Sequence, residues 1–234
     1  MDNGGAPNRT IHRDLSSRKA AILTARLGIV QALLTLAAYW LLAQAPGLSA
    51  SDEEILEFYN SDHRWMVIVA GLYLMPFAGI AFLWFVVVLR MWIKESSRED
   101  ALFSNVQLVS AIVFIGLFFA AAAAESVLAV SIDSMGAEFE ISMARQFPQY
   151  GSALLLVFAM RMASVFVFTT STIGLKHRIL PKWFVWSGYI VGLFLLLSAT
   201  ISPLLILVFP IWVLVLSVFL LVRARNMPME PQGS

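Results

Sequence analysis

Long apolar stretches separated by short polar segments dominate the pattern of hydrophobic and polar positions along this chain. About 20 helical residues cross the hydrocarbon core of a bilayer, so each stretch is long enough to form a membrane span. The last stretch, Trp183–Val222, is too long for one span, and Thr200-Ile201-Ser202-Pro203 divides it into two helices because proline favours a helix start. The pattern predicts an all-α membrane protein with six transmembrane helices, at residues 21–44, 65–92, 101–131, 150–175, 183–199 and 203–222.

Three regions follow from these spans. A flexible basic tail covers residues 1–20, a six-helix transmembrane domain covers residues 21–223, and a second tail covers residues 224–234. Pro76 and Pro210 lie inside predicted helices, where each frees a backbone carbonyl group and is expected to kink its helix.

The polar segment before the second span, SASDEEILEFYNSDHR, has a helical pattern of its own. Ser51 followed three residues later by Glu54 is a capping box, which is typical of a helix start. Ile55, Phe58 and Tyr59 share one helical face, so we expect a short amphipathic helix on the outer membrane surface or on the bundle. The third loop, DSMGAEFEISMARQFPQY, is a candidate for a second such element. Both loops could act as solvated lids, as a ligand gate or as a docking surface.

Composition supports a membrane protein, and charge orients it. The chain is 59% hydrophobic and 13% charged, whereas a soluble domain is about 25% charged. Most of the lysine and arginine residues fall in the N-terminal tail, the second and fourth loops and the C-terminal tail. Cytoplasmic loops carry such an excess, so the sequence predicts that both termini are cytoplasmic and that the first and third loops face outward.

Several kinds of chemistry are missing from the sequence. There is no cysteine, which excludes disulfides and cysteine-bound metals. The three histidines, His12, His63 and His177, lie in tails or loops, so no haem is expected between histidines inside the bundle. The sequence contains no zinc-protease or nucleotide-loop motif and no basic nucleic-acid patch. We therefore predict no catalytic residue, no metal, no cofactor and no nucleic-acid partner.

Two ionisable residues, Glu125 and Arg161, lie within predicted spans. Such residues are costly in lipid and usually face the bundle interior or a water-filled cavity. From the predicted span boundaries, Arg161 is roughly 16 Å and Glu125 roughly 9 Å below the outer surface, at 1.5 Å per residue. Arg161 points back toward its own helix N-terminus and hence outward, so the sequence predicts a Glu125–Arg161 ion pair. The pair could lock two spans together or line an outward-facing cavity.

Small residues recur at helical spacing in two spans. Gly188 and Gly192 form a GxxxG pattern, and Gly116, Ala120 and Ala124 recur every four residues. Such ridges let helix backbones approach closely in lipid. We expect seams within the bundle, and each face is also a candidate surface for a homodimer or for another protein partner.

The fourth loop and the last two spans carry a family resemblance. The stretches GLKHRILPKWFVWSGYIVGLFLLLS and LVFPIWVLVLSVFLLVR resemble a group of mainly actinobacterial six-span membrane proteins of unknown function, and the DEEILEFYNSDHR loop looks like theirs. The shared pattern is a basic loop, a Leu-Pro-Lys or Leu-Pro-Arg sequence, an aromatic residue and a small-residue helix. In this chain the positions are Leu180, Pro181, Lys182, Trp183, Gly188 and Gly192. The resemblance implies a multi-pass topology in a bacterial cytoplasmic membrane and transfers no site residue.

Two functional hypotheses remain. The first is a non-enzymatic membrane protein, in contact with the lipid bilayer, that acts as a scaffold, accessory subunit or sensor. The second is a small transporter or channel whose outward-facing cavity is lined by Glu125 and Arg161. A lipid-modifying enzyme is disfavoured because the sequence offers no nucleophile–base pair.

Overall fold

The computed structural model of the protein describes residues 7–47, 49–92, 98–198 and 205–226. These residues form helices joined by turns and short loops, and no β-strand occurs among them. The predicted all-α class is therefore confirmed.

The helices include two π-helical segments. In a π-helix each backbone amide donates to the carbonyl oxygen five residues earlier, instead of four as in an α-helix. The elements, in chain order, are α1 (Pro7–Leu42), α2 (Asp52–Asn60), a 3-10 turn (Asp62–Arg64), α3 (Trp65–Val69), the first π-segment (Ala70–Leu74), α4 (Met75–Trp92), α5 (Arg98–Met135), α6 (Ile141–Ala153), the second π-segment (Leu154–Ala159), α7 (Met160–Lys176), α8 (Lys182–Leu197) and α9 (Leu205–Arg225). Each π-segment joins its two neighbouring helices without a break, so the second and fourth predicted spans are continuous helical runs.

Five helical runs are long and apolar enough to cross a membrane, at residues 18–42, 62–91, 100–135, 141–176 and 205–225. The predicted fifth span corresponds to α8, which is apolar but has 16 residues. The predicted break at residues 200–203 lies outside the described residues. The described residues thus contain five helical runs of spanning length and one shorter apolar helix.

Two helix starts differ from the prediction. α1 begins at Pro7, so residues 7–20 of the predicted tail are helical, and proline is well suited to the first turn of a helix. The fourth spanning run begins at Ile141 instead of Tyr150, because the polar helix α6 continues directly into the apolar segment. Hydropathy marks where a helix becomes apolar, whereas these helices start earlier.

Helix ends meet at two opposite ends of the bundle. At one end, Arg18 Nε donates a hydrogen bond to the Ala224 carbonyl oxygen at 3.1 Å, which joins α1 to the end of α9. At the same end, Lys176 Nζ lies 3.0 Å from Asp100 Oδ1, which joins the end of α7 to the start of α5. We call this the basic end, and its residues include Arg18, Arg90, Lys176 and Arg223. The opposite end, which α2 covers, is called the capped end.

The direction of α8 follows from a contact at the basic end. Arg223, near the end of α9, donates a hydrogen bond to the carbonyl oxygen of Ile179, in the turn before α8. The start of α8 and the end of α9 therefore lie side by side, and α8 runs from the basic end toward the capped end.

A cluster of phenylalanines fills the middle of the bundle. Phe82 and Phe85 of α4, Phe114 of α5, Phe166 of α7 and Phe209 of α9 are all almost completely buried. The rings of Phe114 and Phe209 are 4.9 Å apart, and those of Phe82 and Phe166 are 5.1 Å apart. Edge-to-face ring contacts at such distances add to the packing of four different helices. We call these five residues the phenylalanine cluster.

The Gly188 and Gly192 face of α8 packs within the chain. A Cβ atom at Gly188 would lie 2.1 Å from Ser171 Oγ, and one at Gly192 would lie 3.1 Å from the Phe168 ring. Ser164 Oγ also donates a hydrogen bond to the Gly192 carbonyl oxygen at 2.7 Å. This face is a seam between α7 and α8, as small residues allow in lipid.

The other small-residue face lies on the outside of α5. Gly116 and Ala120 are exposed, and a Cβ atom at Gly116 would meet no atom within 4 Å. Ala124, one turn further on, is partly exposed. Among the described residues, nothing in the chain packs into the space at Gly116.

The two prolines predicted to kink helices have different surroundings. Pro76 is the second residue of α4 and directly follows the first π-segment, whose last turn is closed by a bond from the Met75 amide to the Ala70 carbonyl oxygen. The widened turn thus lies where the missing proline amide interrupts the normal bonding. Pro210 is buried inside α9.

Candidate functional site

A partly enclosed cavity of about 410 Å³ lies between the helices near the capped end. Its apolar wall includes Ala38, Leu42, Met75, Phe118, Leu155 and Leu156. Its polar groups include Thr35, Tyr39, Tyr59, Glu125, Arg145 and Ser152. The volume falls within the range of about 300–1,000 Å³ that is typical of small-molecule sites.

α2 covers this cavity. The predicted capping box is present, since the Ser51 amide donates to Glu54 Oε2 at 2.8 Å and the Glu54 amide donates to Ser51 Oγ at 3.2 Å. Ile55 and Tyr59, four residues apart on one face, are buried and line the cavity. They pack in an apolar cluster with Val67, Leu128 and Ala144. The predicted amphipathic helix is therefore confirmed, and it lies on the bundle.

Ion pairs hold both ends of α2. At its start, Arg145 Nη2 of α6 lies 2.7 Å from Asp52 Oδ1 and donates to the Ala50 carbonyl oxygen at 2.7 Å. After its end, Arg64 Nε lies 3.3 Å from Asp133 Oδ1 of α5. The two ties fix α2 across the mouth of the bundle, and Arg145 belongs to the cavity wall as well.

Glu125 of α5 is the carboxylate of this cavity. A Cβ atom at Gly151 would lie 2.7 Å from Glu125 Cγ, so the side chain passes α6 through the space that the glycine leaves. Ser152 Oγ donates a hydrogen bond to Glu125 Oε1 at 3.1 Å. Within the described part of the chain, no lysine, arginine or histidine lies within ion-pair distance of this carboxylate. Glu125 thus brings an acceptor without a basic partner to a mainly apolar space.

The structure does not bring Arg161 to Glu125. The Arg161 guanidinium donates to the Val157 carbonyl oxygen on its own helix, and Arg161 is not part of the cavity wall. The reason is depth, since Glu125 is level with Ser152, which precedes Arg161 by nine residues, or about 14 Å of helix. The predicted gap was about half as large because the third span was predicted to end at Ser131 and the fourth to start at Tyr150, whereas α5 ends at Met135 and α6 starts at Ile141. The predicted Glu125–Arg161 ion pair is not formed.

Tyr59 has a strongly perturbed hydroxyl group. Burial raises the pKa of Tyr59 to about 12, and the negative charge of Glu125 acts in the same direction. Both effects disfavour the phenolate, because it would lose its hydration and face a like charge. Tyr59 therefore remains a neutral phenol at physiological pH and offers a hydrogen-bond donor at the cavity wall.

The Tyr59→Phe variant should lose less stability than the wild type at high pH. The folded-state pKa is raised, so the contribution of Tyr59 is present below the unfolded value near 10 and disappears as pH rises toward 12. Its size is at most about 2–3 kcal/mol. Thermal melting in detergent between about pH 9 and pH 12 measures the difference. Tyr150→Phe, at a tyrosine that is 62% exposed, should keep the wild-type profile, and parallel wild-type and Tyr59→Phe profiles would contradict the effect.

Five of the polar cavity residues were not predicted as site residues: Thr35, Tyr39, Tyr59, Arg145 and Ser152. The helical pattern did place Tyr59 on the apolar face of α2, but it does not show what that face covers. Arg145 lies in the third loop of the predicted topology, and Ser152 lies at the start of the predicted fourth span. Arg145 contacts Asp52, 93 residues earlier in the chain, so the sequence around Arg145 does not mark it as a site residue.

The described residues offer no metal site. Among them, no group of three or more histidine, aspartate or glutamate side chains lies close enough to hold a metal ion. The polar groups of the cavity are two phenols, two hydroxyls, one carboxylate and one guanidinium, which suit hydrogen bonding and charge pairing with a ligand.

Comparison with known proteins identifies no family. No family model, no curated protein and no solved structure matches the chain. A function for this protein therefore has to be proposed from the cavity and from the arrangement of the helices.

Proposed function

We propose that this protein is a non-enzymatic six-span protein of the bacterial cytoplasmic membrane that binds an amphipathic small molecule in the cavity beneath α2. The cavity carries the proposal, because it has the volume of a small-molecule site and a mainly apolar wall with few polar groups. Its place at the capped end gives access from the outer half of the bilayer. A sensor or an accessory subunit of a larger complex is the role that such a binding site fits.

The six-span topology rests on α8 and on the distribution of charge. The 16 residues of α8 rise about 24 Å, close to the hydrocarbon thickness of about 30 Å, and α8 runs between the two ends of the bundle. The basic end collects the start of the apolar span of α1, at Arg18, and the end of α9. Under the positive-inside rule this end faces the cytoplasm, with both termini.

Binding fits the interior better than conduction does. Phe118 lines the cavity and stacks on Phe114 of the phenylalanine cluster, with the ring centroids 5.6 Å apart. The cluster fills the space between the cavity and the basic end, so a ligand that enters the cavity meets packed aromatic rings. Transport would require the cluster to open, and Arg161, expected to line such a path, lies outside the cavity wall.

Photo-crosslinking in phosphatidylcholine nanodiscs tests the proposal. A long-chain alcohol that carries a diazirine on its chain should label Leu155 and Leu156, which line the cavity, above the lipid-facing reference residues Ile190 and Leu193. Trypsin releases the second π-segment within residues 146–161, so mass spectrometry resolves the two sites. Equal labelling of cavity and reference residues would overturn the proposal.

Filling the cavity should remove the cavity label. Ala38 lines the cavity, so Ala38→Phe should reduce labelling of Leu155 and Leu156 to the level of the reference residues. Ala37→Phe changes the adjacent, exposed residue of α1 and should leave the labelling unchanged. Size-exclusion chromatography and thermal melting confirm that both variants fold. Full cavity labelling in a folded Ala38→Phe variant would contradict the assigned site.

A further inference from the structure

We infer that the cavity selects ligands in which an apolar body carries a single protonated amine, with the ammonium group on the Glu125 carboxylate. This inference rests on the proposed function and adds the chemical class of the ligand. Three features of the cavity support it: the isolated carboxylate, the engaged arginine and the aromatic walls.

Glu125 has acceptor capacity that the described residues do not use. A carboxylate can accept about four hydrogen bonds, and the described residues supply one, from Ser152 Oγ at 3.1 Å. Ser152 is itself part of the cavity wall, so the carboxylate lies at the cavity surface. A carboxylate in apolar surroundings is costly unless a partner compensates it. An ammonium group offers three donors and a positive charge at that place.

Arg145, the other charged group of the wall, already has partners. Its guanidinium pairs with Asp52 at 2.7 Å and donates to the Ala50 carbonyl oxygen at 2.7 Å. An anionic ligand would have to compete with Asp52 for Arg145 and would bring its charge close to Glu125. The wall therefore favours a cation at Glu125 over an anion at Arg145.

Three aromatic rings belong to the cavity wall. Tyr39, Tyr59 and Phe118 line the same cavity as Glu125. Ring faces attract cations, and the attraction strengthens where water is excluded. The same rings and the aliphatic wall at Leu155 and Leu156 accommodate an apolar body. A lipophilic amine thus matches the charge and the lining together.

Competition against the diazirine alcohol tests the class of head group. Dodecylamine, dodecanol and dodecanoate have matched chains and differ in the head group. Dodecylamine should displace the label from Leu155 and Leu156 at about one tenth of the concentration of dodecanol, because a charge-assisted bond replaces a neutral one. Dodecanoate should be the weakest competitor. The lipid-facing label at Ile190 and Leu193 corrects for the amount of each compound in the bilayer.

A conservative variant separates charge from shape. Glu125→Gln keeps the size and one acceptor, so the alcohol should still label the cavity while the preference for dodecylamine falls to about the level of dodecanol. Arg161→Gln removes a membrane-depth charge outside the cavity wall and should keep the amine preference. Cavity labelling with equal competition by the three compounds, or with dodecanoate strongest, would overturn the inference and leave the proposed function standing. An absence of cavity labelling in the wild type would overturn both.

Discussion

Replacing Gly71 by alanine is expected to lower the free energy of unfolding by about 2–3 kcal/mol. Gly71 lies in the first π-segment, and a Cβ atom there would meet Ser126 Cβ at 2.4 Å and the Ala122 carbonyl oxygen at 2.9 Å. The carbonyl belongs to the backbone of α5 and cannot rotate away, so the two helices would have to separate. Denaturation by sodium dodecyl sulfate from mild detergent, followed by circular dichroism, measures the loss.

Gly116→Ala is the matched control for Gly71→Ala. Both glycines lie inside helical runs, but a Cβ atom at Gly116 meets nothing within 4 Å. Alanine has the higher helix propensity, so this variant should be neutral or more stable by up to about 1 kcal/mol. If Gly71→Ala were as stable as Gly116→Ala, the contact between the first π-segment and α5 would not be as close as described.

Asp100→Ala is expected to cost about 1–3 kcal/mol of stability, because the buried carboxylate is lost but the remaining Lys176 is 36% exposed. The Asp100 side chain is 5% exposed and its Oδ1 lies 3.0 Å from Lys176 Nζ and 3.5 Å from His177 Nε2. Removing the carboxylate leaves the partly buried Lys176 and His177 side chains without this acceptor. The Arg64–Asp133 pair offers a comparison, since Asp133 is 56% exposed and Asp133→Ala should cost about 0–1 kcal/mol.

A double-mutant cycle identifies the source of that loss. If Asp100 and Lys176 interact, Asp100→Ala combined with Lys176→Met should lose less stability than the two single variants together. The same denaturation assay gives all four free energies. Additive losses would mean that Asp100 acts mainly through other neighbours, and similar losses for Asp100→Ala and Asp133→Ala would contradict the difference in burial.

Local patterns predicted the elements of this fold well. The spacing of Ile55 and Tyr59 and the capping pair Ser51 and Glu54 are properties of a nine-residue helix, and the structure contains that helix with its cap. Apolar length likewise located five helices of spanning length. Such features depend on residues that are close in sequence, so a single sequence contains the whole signal.

The relative depth of residues on different helices could not be predicted in the same way. Hydropathy located the apolar part of the fourth span near Tyr150, whereas the helix starts at Ile141. Glu125 lies level with Gly151 and Ser152 because the glycine opens a path for its side chain. This contact between α5 and α6 is tertiary, and the residues next to Glu125 or Gly151 in the sequence do not indicate it.

The cavity could not be predicted from the sequence for a related reason. Tyr59 comes from α2, and Arg145 and Ser152 come from α6. They become neighbours of Glu125 only through the docking of these two helices. The cost of a carboxylate in lipid made Glu125 a candidate cavity residue, and in the structure Glu125 lines the cavity. For Arg161 the same cost is met differently, by a carbonyl group of its own helix.

The second π-segment changes the directions in which one helical run presents its side chains. Its closing bond runs from the Met160 amide to the Leu155 carbonyl oxygen, so one extra residue is accommodated within a single helical run. Gly151 and Ser152 before it face Glu125, while Ser164 after it faces α8. The wide turn changes the direction in which side chains after it point around the helix axis, relative to those before it. One continuous helical run can therefore direct Ser152 toward the cavity and Ser164 toward α8.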